Sequence, residues 1–376
     1  MTDLFFYGSL RDHALLRIVL GENDAGVELI DATLADHKIC WVKDQGFPIV
    51  LRQSGEVAQG LLAKNLTADH IARLNFYEGG FAYDLVPAKV STAAGQMGCE
   101  IYWPPKDQYQ AGDPWHLIDW QQEWGELSRL AAIEAMSYFG DIDADTLHSR
   151  FKMIRSRAAS KLSAKASPSP TNLRAGLTSN DVIRETENRS HAGFYALDVL
   201  QLRHRKFDGS MSGPLTREVF VGGDASIVLP YDPVTDKILL VEQFRMGPTG
   251  RHDPYPWCLE PVAGLIDPGD GPEETAFREA KEEADLDLKS LEFVFKGYPS
   301  PGASAEFFHL FVGLCTLPET APNGGGLACE GEDIRSHILS FDDAMYHVDT
   351  SEINVLPTVL CLNWLARHRD RLRAGS

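Results

Sequence analysis

The chain has 376 residues, 44% hydrophobic and 24% charged, which is ordinary for soluble globular protein and enough apolar material for two cores. Its formal net charge of −19 argues against general binding to nucleic acid or to an anionic membrane, both of which need a basic face, and fits a site that gathers carboxylates around divalent cations. The start, MTDLFFYGSL, lacks the basic and long apolar parts of a signal peptide, no apolar run approaches the roughly 20 residues of a membrane span, and Cys40, Cys99, Cys258, Cys315, Cys329 and Cys361 form neither a CxxC pair nor a zinc-like spacing; the expectation is a cytoplasmic protein with reduced thiols.

In chain order, LFFY (4–7), KICWV (38–42), GLLAK (60–64) and LVPAKVS (85–91) are expected strands, the last with an edge-type proline, and Thr67 to Asn75 a short helix. Residues 1–115 are therefore expected as a small α+β domain. From Trp120 to Leu162, Trp124, Leu127, Leu130, Ala131, Ile133, Ala135 and Met136, then Leu147, Phe151 and Ile154, recur at helical spacing, so 116–162 is expected as a helical connector. Arg150, Lys152, Arg155, Arg157, Lys161 and Lys165 form a basic run there, expected as a solvated helix face. The Ser-, Pro- and Ala-rich stretch 163–176 is expected as a linker. Beyond it, 177–376 has an α/β pattern: strands in FYALDVLQLRHRKF, VFVGGDASIVLPYDP, KILLVEQFRM, EFVFKGYPS, FFHLFVGLC and SHILSF, and helices in GPEETAFREAKEEADL and VLPTVLCLNWLARHRDRL.

The stretch from Gly264 to Leu286 carries chemistry. Pro272 stands at a first helical position after Gly271. Glu279, Glu282 and Glu283 are spaced three and four apart and project from one side of the helix, while Ala276, Phe277, Ala280 and Ala284 supply an apolar side. Clustered carboxylates repel and need cations or arginines beside them, and hard oxygen ligands favour magnesium or manganese.

With its preceding loop, this stretch resembles the Nudix box at Gly264, Arg278, Glu279, Ala280, Glu282, Glu283 and Leu286. It departs at Asp270, where a glutamate is usual, and at Asp285, where a glycine serves a left-handed turn that Asp tolerates better than most residues. LTREVF, VEQFR, EPVAGLID, SPGASAE and CEGEDIR extend the likeness to the ADP-ribose pyrophosphatase branch of the Nudix superfamily. The resemblance implies metal held by Ala263 through its carbonyl, Glu279, Glu283 and Glu332, with Glu282 in the same set. It implies a general base at Glu330, with Glu332 or Glu282 as alternatives. It implies substrate contacts from Arg217, Glu218, Arg245, Leu265, Ser300, Gly302 and Glu306. The cofactor implied is Mg2+ or Mn2+, the reaction is cleavage of ADP-ribose to AMP and ribose 5-phosphate, and the assembly is a homodimer through this domain.

FFYGSL (5–10), GFPIVLRQSG (46–55) and the run 59–90 resemble the γ-glutamylcyclotransferase-like, or AIG2-like, family. The likeness implies a substrate loop at Tyr7, Gly8, Ser9 and Leu10 and a general acid/base at Glu78; Asn75 departs from a usual Asp. The domain pair is similar to bacterial proteins associated with tellurite resistance. The fold expected is thus a small barrel-type α+β domain followed by a Nudix α/β/α sandwich with a mixed sheet. The alternatives are a Nudix hydrolase of another nucleoside diphosphate sugar, an ADP-ribose sensor that regulates the N-terminal domain, and γ-glutamyl chemistry as the main function with the Nudix domain accessory.

Overall fold

The computed structural model describes residues 1–21, 26–79, 83–105, 108–322, 325–326 and 331–375. The chain divides into two units, Met1–Ala166 and Ser167–Ser376.

In the first unit, β1 (Thr2–Phe6), β2 (Glu28–Val42), β3 (Pro48–Leu66), β4 (Asp84–Thr92) and β5 (Gly95–Trp103) pair in the ring β3-β1-β5-β4-β2 and back to β3, closing a barrel; β6 (Ala111–Pro114) adds to β2. β1 runs parallel to β5, and the other ring pairs are antiparallel. Gly60 lets the wall close, because a Cβ there would come within 2.1 Å of the Phe5 ring. The long β2–β3 ladder shifts register between Ala35 and His37, where Asp36 takes a positive φ of 59°. Strands and helix stand where the composition puts them, but β2 and β3 run well beyond the apolar cores that mark them: β2 begins on an exposed end, and in β3 the exposed stretch 52–57 joins two buried ones, 48–50 and 60–63.

Helices α1 (His13–Leu20), α2 (Ala68–Glu78), α3 (Leu117–Trp120), α4 (Glu126–Met136) and α5 (Ala144–Ala166) belong to this unit, with a single π turn, Gln121–Gly125, between α3 and α4. Thr67 caps α2 by accepting from His70 N, and His70 returns the bond to the Thr67 N–H. Asp12 caps α1 through Leu15 N at 2.8 Å and also accepts from Gln121 and Arg129, tying the first turn of α1 to the chain more than 100 residues later. Two expectations change. Helix α5 continues to Ala166, so 163–166 is helical rather than linker. The basic run of α5 is not one solvated face: Arg157 is 1% exposed, paired with Glu134 at 2.6 Å, and Arg155 is partly buried. A buried carboxylate on α4 explains the inward turn, since an arginine is buried only with a partner.

In the second unit, β7 (Val182–Ala192), β8 (Ala196–His204) and β9 (Leu215–Val221) form an antiparallel sheet. A mixed seven-stranded sheet holds β10 (Ala225–Asp232), β11 (Lys237–Phe244), β12 (Trp257–Glu260), β13 (Val262–Leu265), β14 (Ser290–Gly297), β15 (Phe308–Leu314) and β16 (Arg335–Ser340). Its order is β12-β11-β10-β15-β14, with β13 on β10 and β16 on β11; only the β10–β15 pair is parallel. The short α6 (Met246–Gly250) follows β11. Alternation along β10 and β11 splits the core. Ile227, Leu229, Tyr231, Ile238 and Leu240 face α8 (Phe341–Asp349) and α9 (Leu356–Ala374). Val228, Leu239 and Val241 face α7 (Pro272–Ala284). Each such side chain contributes about 1.5–3 kcal/mol on burial. The result is an α/β/α sandwich. The expected strand VFVGGDASIVLPYDP is in fact two, β9 and β10, broken at Gly222 to Asp224, where a Cβ on Gly222 would come within 3.0 Å of the Glu306 side chain and the Asp224 carbonyl accepts from Ile266 N.

Candidate active site

The glutamates stand on α7, one end of which packs on β13. Glu283 is 2% exposed, and its Oε2 accepts from Ala263 N at 3.1 Å. Gly264 makes the approach possible, since a Cβ there would lie 1.9 Å from Glu279 Oε1. Arg278 Nη1 donates to Glu279 at 2.8 Å and to Glu282 at 3.0 Å, its Nη2 reaches the Leu265 carbonyl at 3.5 Å, and Asp267 and Asp270 lie within 3.9 Å of the guanidinium. The shorter Asp270 thus still reaches the arginine. Asp285 closes the helix at φ 48°, ψ 39°, the left-handed conformation for which glycine is usual.

Burial, then the charges of Glu279 and Glu332, push the Glu283 carboxyl up to about 8, against the opposing hydrogen bond from Ala263. Burial also raises Glu279, with Glu282 and Glu332 adding to the rise and Arg278 opposing it. Glu332 is therefore electrostatically part of the cluster. Among the described residues no three of His, Cys, Asp and Glu already stand as a metal-holding group. Arg278 is hydrogen-bonded to the two glutamates that would meet a cation. The donor chemistry nevertheless fits a hard divalent ion: oxygen atoms only, with the buried Glu283 carboxyl raised by burial and by its acidic neighbours, a cost that a cation would relieve.

Arg245 follows β11 and grips Glu260 through Nε and Nη2, at 3.0 and 2.7 Å. Burial pulls Arg245 down, but Glu260, Glu283 and Tyr195 raise it overall, which places it beside the cluster. Ser300, Gly302 and Glu306 lie in a loop held to β9: Phe220 N donates to the Ala303 carbonyl and Ala305 N to the Phe220 carbonyl, both at 2.8 Å, and Ser304 Oγ donates to Glu306. Arg217 and Glu218 stand exposed on β9, where Arg217 Nη1 donates to the Thr216 carbonyl; among the described residues neither touches the glutamates. Glu330 lies outside the described residues. Sequence reasoning missed Glu260 and Tyr195. Only the placement of an acidic residue at the end of the short strand β12 could have drawn attention to Glu260.

In the first unit, Tyr7, Gly8, Ser9 and Leu10 line a cavity of about 90 Å³ together with Glu78. A Cβ on Gly8 would come within 3.1 Å of the Pro48 ring, and a 3-10 turn, Ser9–Arg11, follows the glycine. Glu78 ends α2 among Tyr7, Tyr77 and Tyr83, and burial pushes its carboxyl up to about 7. Asn75, one turn earlier, accepts from Tyr102 Oη at 2.7 Å, so the departure from Asp leaves a paired polar group. The four loop residues and Glu78 are thus brought together. Arg155, Phe151 and Ser128, from helices expected only as a connector, also line the cavity.

Two family models match: the NUDIX domain over residues 223–357, and the gamma-glutamyl cyclotransferase, AIG2-like domain over residues 4–122. An ADP-ribose pyrophosphatase of Escherichia coli (strain K12) is 39% identical over 204 residues, 54% of this chain and 97% of that protein. One of Haemophilus influenzae is 37% identical over 189 residues, 50% of this chain and 87% of that protein. A GDP-mannose pyrophosphatase of Salmonella choleraesuis is 36% identical over 149 residues, 40% of this chain and 76% of that protein. A solved ADP compounds hydrolase is matched at 18% identity and TM-score 0.41, over 51% of this chain and 97% of that one, too distant to bear on chemistry. With a box whose glycine, arginine and glutamates interlock in space, and a relative matched over nearly its whole length, the chain belongs to the Nudix family, with a γ-glutamyl cyclotransferase, AIG2-like domain in its N-terminal unit.

Proposed function

We propose that the C-terminal unit cleaves the diphosphate bond of ADP-ribose to AMP and ribose 5-phosphate. The observation that carries this is the packing of Glu279 against Gly264 with Glu283 buried behind Ala263, in a segment whose relatives are ADP-ribose pyrophosphatases. Ala263, Glu279, Glu283 and Glu332 would hold Mg2+, or Mn2+ in its place. Bound there, the cation supplies charge neutralisation at the phosphate oxygens and acidifies a nearby water. Arg278 orients Glu279 and Glu282 and holds the preceding loop through Leu265. A carboxylate takes the proton from the attacking water, Glu330 in the first reading and Glu282 or Glu332 otherwise. Arg245, fixed by Glu260, binds phosphate, and Ser300, Gly302 and Glu306 face the terminal ribose. Arg217 and Glu218, exposed on β9, act in a homodimer built through this unit. None of the described helices is long and apolar enough to cross a membrane, in keeping with a cytoplasmic enzyme.

The test is metal-dependent AMP release from ADP-ribose against a panel that includes GDP-mannose, with Glu279→Gln beside the wild type. Selective turnover that the variant loses supports the reading. Equal turnover of GDP-mannose would favour the broader activity that the Salmonella relative raises.

For the N-terminal unit we propose a second site for γ-glutamyl compounds, with Glu78 exchanging the proton. A carboxyl pushed up to about 7 within a cavity favours this, since it can both give and accept a proton near neutrality.

A further inference from the structure

The matched cyclotransferase segment ends at residue 122, and helix α5 begins at Ala144. Yet α5 supplies one wall of the N-terminal cavity, through Phe151 and Arg155. These residues are one turn apart and share a helix face. Phe151 packs edge-on against Tyr77, with centroids 6.2 Å apart, directly before Glu78 in the chain. The Arg155 guanidinium stands over the Trp124 ring, 5.2 Å from its centroid. Trp124 in turn lies against Gly46, where a Cβ would come within 2.9 Å of the indole. Two residues further on, Arg157 is fully buried in its ion pair with Glu134 of α4. That pair and the Trp124 stack fix the register of α5 and restrict the Arg155 guanidinium.

The remainder of the lining near Glu78 is largely aromatic and apolar: Phe5, Phe6, Pro48, Tyr83, Ala131. An arginine stays charged and presents five donors in a planar fork, so it can serve more than one partner at once. The cavity therefore combines one constrained cation, the glycine-containing loop after β1, and a proton-carrying carboxyl. A small acid with its anionic end apart from its reacting carbonyl matches that distribution of groups.

We propose that Arg155 is a specificity-determining residue of the N-terminal cavity, receiving the carboxylate of a small γ-glutamyl or 5-oxoprolyl ligand whose acyl end lies toward Glu78. The proposal rests on the reading of this cavity as a γ-glutamyl site. It adds a group from outside the matched domain.

The experiment is calorimetric titration of the full chain with 5-oxoproline and with 5-oxoprolinamide, its uncharged carboxamide, for wild type, Arg155→Met and Arg155→Lys. Thermal melting checks each variant; if Arg155→Met melts below wild type, Arg155→Gln is read in its place. A charge-assisted fork is expected to make wild type prefer the acid by about 10-fold or more. Arg155→Met is expected to bind the two compounds within about twofold of each other, and Arg155→Lys to recover part of the preference. Binding of both compounds by wild type without preference, or an unchanged preference in Arg155→Met, would overturn the role of Arg155 and leave the cavity reading standing. Binding of neither compound to wild type would remove the γ-glutamyl reading itself and the proposal with it.

Discussion

At Gly264 the difference between a hydrogen and a methyl group decides where the Glu279 carboxylate stands. A Cβ would sit 1.9 Å from Glu279 Oε1, so Gly264→Ala must displace the glutamate or the strand. We expect AMP release to fall by about 100-fold or more, because displacements near 1 Å cost that much, with a stability loss of about 1–3 kcal/mol read from the denaturant midpoint. Asp285 is the opposite case. It already holds the left-handed turn that glycine would, so Asp285→Gly is expected to keep AMP release and to leave the melting temperature unchanged or slightly raised. Glu78 sets a pH dependence. Its carboxyl is raised from 4.5 to about 7, so the folded state binds the proton more tightly than the unfolded state. That stabilising proton is fully present below the unfolded value and is lost as pH rises through 7. The wild type should therefore lose up to about 3 kcal/mol between pH 4.5 and 8 relative to Glu78→Gln, measured as the difference in denaturant midpoints.

At the level of elements, legibility follows how local the cause is. Helix α7 can be read directly, because Pro272 starts it, Asp285 ends it, and its alanines mark the packed side. The same local pattern exposes Gly264, Arg278 and the glutamates, but not Glu260, whose meaning lies in a pairing with Arg245 across two strands. Strand β7 is hard to see because VIRETENRSHA is exposed along nearly its whole length and shows no apolar alternation. Helix α8 follows β16 directly, Ser340 ending the strand and capping the helix by accepting from Asp343 N, so no separate loop marks the change of period. Helix α5 is visible as a helix, yet its inward face is not, since Arg157 answers to Glu134, 23 residues away in the chain. Arg157→Met should cost about 3–5 kcal/mol by leaving the Glu134 carboxylate without its arginine, and Glu134→Leu in the same chain should restore much of that, both read by denaturant melts. A solvated arginine would give almost nothing in either experiment.

For the molecule as a whole, each candidate site is built from residues of one unit: the cavity from the first, the glutamate cluster from the second. Glu279→Gln is expected to abolish AMP release and to leave 5-oxoproline binding alone, and Glu78→Gln the reverse. A change in 5-oxoproline affinity on adding ADP-ribose would instead favour the regulatory reading, in which the Nudix pocket reports to the N-terminal unit.

The β7-β8-β9 sheet bears on handling the protein. In a single chain it and its flanking loops leave Ile183, Phe194, Phe207 and Phe220 about half exposed or more, and a three-stranded ribbon with so little covered has a weak core of its own. If a second copy covers it, as the proposed homodimer requires, stability becomes a function of concentration. Melting temperature and specific AMP release should then both decline on dilution and recover on concentrating, so an assay run at nanomolar enzyme would understate the enzyme that a cell contains.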